Sequence, residues 1–470
     1  MHVKTLILTC RSLYSIVQTC AATIFACVWV AVHRNIPAPK TKVKYSSNRA
    51  RKAAQWLWSK ICDQRQSVIV FLVTLLAPEW ILAWAAQQAL RARELATELE
   101  DARMEAKKRW EESHPEFAKE PGAEEAKDEE NRSTGVSLRS SSEDELLLIE
   151  KRAASSSTSD SLATHPEDQS EWTRARSLGK LDQSWTIALA FFVIMGGYHA
   201  YNEDGPLYPL SPDAVVSLVR DGKLIPPTTE ELSDKSKGDV LSKGVAILQT
   251  FWFVVQCVAR LAEHLPLTNL EVMTLAYTVM TVAMYIAWWH KPLNVSCAIR
   301  TPAVSVSTKV DDLNAAWEWF LSYIMGAQDG GAELSSMKRV PTFWAGKASK
   351  SDLGVADCIA LLVAMAFGAV HFIAWSYAFT SHIEQLMWRA SAIAIVAVPP
   401  GILLALYLAE IESGVLSWAG ISLTLFFTFI GAPLYICARM ILLIFSFTTL
   451  TSLPHSIYQT VQWAEFIPHI

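Results

Sequence analysis

The chain has 470 residues, 51% hydrophobic and 19% charged, with 18 Trp and a formal net charge of −5. The mean hydropathy of +0.22 averages two chemistries: nearly uncharged windows of about 20 residues, long enough to cross about 30 Å of hydrocarbon as helix, and one middle stretch dominated by Ser, Glu, Asp, Lys and Arg. There is no alternating ten-residue pattern of a barrel, no concentrated basic groove for nucleic acid and no CxxC, so barrel, nucleic-acid and zinc or disulfide readings are set aside.

The pattern predicts an all-α, polytopic membrane helix bundle of about eight embedded segments, with a long disordered cytosolic insert. Residues 1–90 hold the first two. The first is 13–32, "LYSIVQTCAATIFACVWVAV", read as an uncleaved anchor. Arg34, Lys40, Lys42, Lys44, Arg49, Arg51, Lys52, Lys60 and Arg65 follow it against the single acid Asp63, which places that loop in the cytosol. The second segment, 67–90, contains "TLLAPEWILAW". Pro at a first helical position and Glu in a first turn make Pro78-Glu79 a helix start. That leaves 67–90 either one kinked crossing or a re-entrant hairpin. Re-entrance puts the loops near Arg260 and Arg389 inside and the turn 410–413 outside.

The helix that starts at Pro78 can continue to near residue 112, its exposed amphipathic part at 91–112 carrying Leu95, Leu99, Ala102, Ala106 and Trp110 on one stripe. Residues 113–183 are too polar to fold alone. Within them Ser140, Ser141 and Ser142 precede acids that suit an acidophilic kinase. Leu147 and Leu148 sit at acidic-dileucine spacing, a pattern read by sorting adaptors. Next come a span at 184–201 and a small helical insert at 202–243. In that insert Ser211-Pro212 and Gly222 bracket one helix, and Thr228 and Glu231 have capping-box spacing. Two spans occupy 244–289 (244–262 and 272–289), followed by an extramembrane loop at 290–354. Residues 355–470 hold spans at 355–377, 387–409 and 415–437, and an apolar run at 440–450 too short to cross alone unless Pro433 starts a separate helix.

Ionisable and polar residues inside apolar windows are the candidate functional groups, because an unpartnered charge at the bilayer centre costs about 3 kcal/mol or more. Glu79 at the proline break could bind a cation, relay a proton or pair with a base such as Arg260. Gln249, Gln256 and Arg260 share one face of the fourth span. With Glu79 they are the candidates for a polar intramembrane cavity, or for bonds that hold the bundle together. His371 in "FGAVHFIAWSYAF" is the one candidate catalytic base, with a structural histidine as the alternative. Pro399-Pro400-Gly401 interrupts the seventh span as a lining break or a packing kink. No histidine pairing, P-loop or nucleophile elbow is present, so neither metal nor cofactor is expected.

The blocks "TIFACVWVAVHRNIPAP", "LLAPEWILAWAAQQ", "FFVIMGGYH", "PLYPLSPDAVVSLVRDGKLIPP", "DKSKGDVLSKGVAILQTFWFVVQCVARLAEHLPLTNLEVMTLAY", "WWHKPLNV" and "WAEFIPHI" resemble a family of uncharacterised fungal multi-pass membrane proteins. The resemblance implies membrane location and no particular chemistry. Three function classes follow: a transporter-like or receptor-like bundle, a lipid-modifying enzyme using His371, and a scaffold acting through its Ser-rich insert. A plasma-membrane or endomembrane bilayer is the common partner.

Overall fold

The computed structural model describes residues 11–39, 51, 67–113, 183–203, 205–236, 239–302, 329, 332–377, 379, 381–411 and 414–461. Ser140, Ser141, Ser142, Leu147 and Leu148 lie outside them. Two compact units emerge: Met1–Thr97 with Trp185–Val215 and Pro227–Ile470, and Glu98–Ser184 with Val216–Pro226.

The first unit begins with α1, Leu13–Val30, capped by the Ser12 side chain and ending in a π turn over Ala26–Val30. Helices α2 (Ser67–Leu76) and α3 (Pro78–Ser113) meet at Ala77 with a bend of 112°. The residue before a proline is pushed out of helical geometry, and α3 starts at the proline itself. Then come α4 (Ile187–Ile194), β1 (Tyr198–Asn202), β2 (Gly205–Pro209), α5 (Pro212–Arg220), α6 (Thr229–Lys235), α7 (Asp239–Ala262) and α8 (Asn269–Ala287). After β3 (Ile299–Pro302) follow α9 (Lys350–Val370), which tightens into a 3-10 turn at His371–Ala374, α10 (His382–Glu410), α11 (Gly414–Phe426) and α12 (Ala432–Thr448). In the second unit Ala106 is buried against Trp110 and Ile225, and Arg220 pairs with Glu105 at 3.2 Å.

Among the described residues six helices are long and apolar enough to cross a membrane: Leu13–Val30, Leu241–Ala262, Asn269–Ala287, Lys350–Ala374, His382–Glu410 and Gly414–Ser452. Several expectations can be set against these elements. The segment 184–201 holds no helix long enough to cross: α4 has 8 residues, about 12 Å of helix, before Gly196 turns with φ 88° and the chain pairs as β1. The sheet order is β2-β1-β3, antiparallel then parallel, an addition to the all-α expectation. The segment 91–112 is the continuation of α3, which runs unbroken from Pro78 to Ser113, and Leu95, Leu99, Ala102 and Ala106 of its stripe are buried. Pro399 and Pro400 do not interrupt α10, and 440–450 continues the helix that begins at Ala432. Close approach explains the last packing. A Cβ on Gly420 would stand 2.2 Å from the Ala409 backbone nitrogen, so α10 and α11 touch backbone to backbone there.

The helices of the first unit alternate between two ends. At one end, Arg11 bonds both Glu271 carboxylate oxygens and the Ile457 carbonyl, and Arg260 donates to the carbonyls of Gln459 (2.6 Å), Pro266 (2.9 Å) and Ile457 (3.2 Å). At the other end, the chain leaving α1, the start of α7 and the chain leaving α8 come together through Lys243, Lys291, His33 and Asn35.

Candidate functional site

The α2–α3 hairpin determines the site. Its first arm starts where Arg34 donates to the Ser67 hydroxyl, and its second arm returns to the same end, where Gln88 donates to Asn35 at 3.1 Å. Between them the tip reaches the interior: the Tyr277 hydroxyl, midway along α8, donates to the Leu75 carbonyl. Glu79, in the first turn of α3, meets Arg439 of α12 at 2.6 Å. Both arms of the bent pair therefore have bonds at the end marked by Arg34 and Asn35, and its proline break contacts α8 and α12.

Arg439 is enclosed there, with 2% of its side chain exposed against 15% for Glu79. Its Nη2 donates to Glu79 and, at 3.4 Å, to the Tyr435 hydroxyl. The guanidinium lies 3.8 Å over the Phe367 ring of α9, a cation–π contact that suits a desolvated arginine. Its Nε and Nη1 find no hydrogen-bond partner. His371 shares the Phe367 ring, 5.0 Å away on its other contact, and lies 6.0 Å from the Trp388 ring. A carbonyl can only accept, so the 3.0 Å contact to Phe367 O makes His371 Nδ1 the donor and leaves Nε2, itself unpartnered, as an acceptor.

A second buried base, Lys291, sits just beyond α8. Its ammonium donates to the His33 carbonyl, to Gln88 Oε1 (2.7 Å) and to Asn35 Oδ1 (3.3 Å), and lies 4.8 Å from both the Trp84 and Trp288 rings. Gln88 is held in turn by Trp288 Nε1 (2.9 Å) and donates to the Trp344 carbonyl (2.6 Å), which Trp84 Nε1 also reaches (3.0 Å). Burial pushes the Lys291 amine well below the usual lysine range, while three oxygens and two ring faces favour the ammonium. Burial, then Lys243 and Lys291, push the His33 imidazole well below its ordinary value. Nearby, Asp329 Oδ2 accepts from the Ala345 (2.8 Å) and Lys347 (3.1 Å) amides; burial lifts its carboxyl to about 6 against those bonds.

The expected four-residue cavity is not assembled. Glu79 pairs with Arg439, not Arg260. Gln249 donates to Thr23 of α1 at 3.2 Å, an interhelical bond. Gln256 is half-buried on α7, and Arg260 is a carbonyl cap at the far end of that helix. Arg439, Lys291 and Glu271 are buried charges that the sequence pattern did not single out. The signal for Arg439 was present: one arginine inside the apolar run 432–450, hidden by dividing that run at 437.

A family model described as "Family of unknown function (DUF8562)" matches residues 158–356. This stretch holds the sheet, α5 to α8 and Lys291, while Glu79 and Arg439 fall outside it. The match accords with resemblance to an uncharacterised family. No curated protein and no solved structure matches the chain.

Proposed function

We propose that this chain is a polytopic membrane protein of a transporter-like or receptor-like kind, in the mould of the uncharacterised fungal multi-pass family, with α2–α3 as a re-entrant hairpin and Glu79–Arg439 as its working centre. The single observation that carries the reading is the hairpin tip, which delivers a helix start and a carboxylate to a buried arginine midway through the bundle. Non-helical backbone at membrane depth is tolerated only where protein covers it or an aqueous path reaches it, and broken helices of this kind hold the ions and substrates of transporters.

The surface pattern supports a lipid surround. Leu241, Val245, Leu248, Phe251, Trp252 and Val258 lie exposed along α7, whereas Arg260, Glu271 and Arg439 are buried. That is the reverse of a water-soluble bundle. The basic loop after α1 puts the hairpin's end in the cytosol, and the Ser-rich segment with its kinase and adaptor motifs goes there too. Removal of the crossing at 184–201 flips the downstream sidedness, so the loops beside Arg260 and Arg389 lie outside. Both arginines are spent on carbonyls, Arg389 on that of Trp375 at 2.8 Å, and do not act as free topogenic charges. His371, fully buried and without a carboxylate to orient it, makes the lipid-modifying alternative weaker than transport.

Reconstitution tests the reading. In liposomes with an enclosed pH dye, the wild-type chain is expected to dissipate an imposed pH gradient, and Glu79→Gln and Arg439→Gln to stop it at equal incorporation. Equal dissipation by all three chains would refute the role of this centre.

A further inference from the structure

The guanidinium of Arg439 offers five N–H bonds. Nη2 serves Glu79 and Tyr435, while Nε and Nη1, carrying the other three, have no protein partner on a side chain that is 2% exposed. Leaving donors unmade at such depth is costly, and in a folded chain it marks a place where something else completes the set. Nε–H and Nη1 lie on different edges of the guanidinium, each edge shared with Nη2: each can donate singly to an oxygen of a carboxylate or phosphate, and a full two-bond edge is presented when Nη2 leaves Glu79. The start of α3, with the positive end of its dipole, stands against the same centre.

We propose that Arg439 is the recognition group for a small oxoanion, a carboxylate or phosphate monoanion, whose binding is coupled to uptake of one proton by Glu79; this rests on the transport reading above. Charge balance dictates the coupling. Arg439 and Glu79 together are neutral. An added monoanion would leave a net negative charge in a low-dielectric interior, where uncompensated charge is expensive. A proton from bulk water placed on the Glu79 carboxylate restores neutrality: the Arg439–Glu79 ion pair opens, a neutral carboxylic acid forms, and the anion takes the guanidinium. Glu79 is the more exposed partner, with 15% of its side chain accessible against 2% for Arg439. The other titratable groups facing the pair are Tyr435 on α12, Tyr277 on α8 and, across the Phe367 ring, His371 after α9.

The test is anion binding to the full chain in nanodiscs, with acetate and then inorganic phosphate as probes, read by tryptophan fluorescence at constant ionic strength. Between about pH 6 and 8, acetate affinity of the wild type is expected to fall about tenfold per pH unit, because each bound anion brings one proton. Glu79→Gln should bind at every pH with one affinity. Arg439→Gln should lose binding, and Arg439→Lys, which keeps the charge and the fold, should weaken it. His371→Gln should keep the wild-type slope. A wild-type affinity indifferent to pH, a slope that survives Glu79→Gln, or equal binding by Arg439→Gln would overturn the inference. Absence of any anion binding, with Glu79-dependent dissipation of the pH gradient still present, would overturn it while leaving the transport reading intact.

Discussion

Lys291 and Arg439 are both buried cations in one helical unit, yet their surroundings differ in kind. Lys291 has no carboxylate, but each of its three N–H bonds has an oxygen and two indole faces close over it. Arg439 has a carboxylate and an aromatic face, but three of its N–H bonds have nothing. A cation satisfied without a counter-ion ties parts together: here the chain after α1, the second hairpin arm and the chain after α8. A cation given a counter-ion but left with spare donors is poised to exchange partners. The hairpin joins the two, being pinned at its base by Gln88 beside Lys291 and tipped by Glu79 beside Arg439.

The contrast can be broken most forcefully at the pin. Lys291→Met should cost about 4 kcal/mol, from an orphaned His33 carbonyl, two weakened amide acceptors and two lost cation–π contacts. Thermal unfolding in detergent checks this, and a loss below about 1 kcal/mol would show that the lysine holds nothing. At the other centre, Arg439→Leu should cost about 3 kcal/mol by stranding the Glu79 charge, and adding Glu79→Gln should restore most of it. Additive losses in that double-mutant cycle would mean that the two residues do not act as a pair. The smallest effect concerns an anion buried among backbone donors. With its folded value raised from 3.8 to about 6, Asp329 contributes stability that is complete below about pH 4 and disappears as pH rises through about 6. Asp329→Asn should therefore flatten about 2 kcal/mol of the wild-type decline across that window. Parallel pH–stability curves for the two chains would rule out the buried carboxyl as the source.

Local rules were legible wherever a few neighbouring residues decide the outcome. Ser211 caps α5, Gly222 turns with φ 70° just beyond it, and Thr228 and Glu231 form the capping box their spacing requires. Proline placed the start of α3 for the same reason: it removes an N–H and restricts the residue before it. Apolar length revealed six helices because hydropathy adds along the chain. The same measure failed at 184–201, where apolarity reflects burial of a short helix and strand under protein. A hydropathy window cannot distinguish that burial from lipid.

What the sequence by itself determined was helix content, the caps, the proline break and the presence of charges in apolar surroundings, all of which depend on residues within a turn or two of each other. Only the tertiary structure decided that Glu79 meets Arg439, 360 positions away, and that Arg260 caps carbonyls while Lys291 lies among indoles. A buried charge takes whichever partner the packing of distant helices brings within about 3 Å, and that distance has no expression in spacing along the chain.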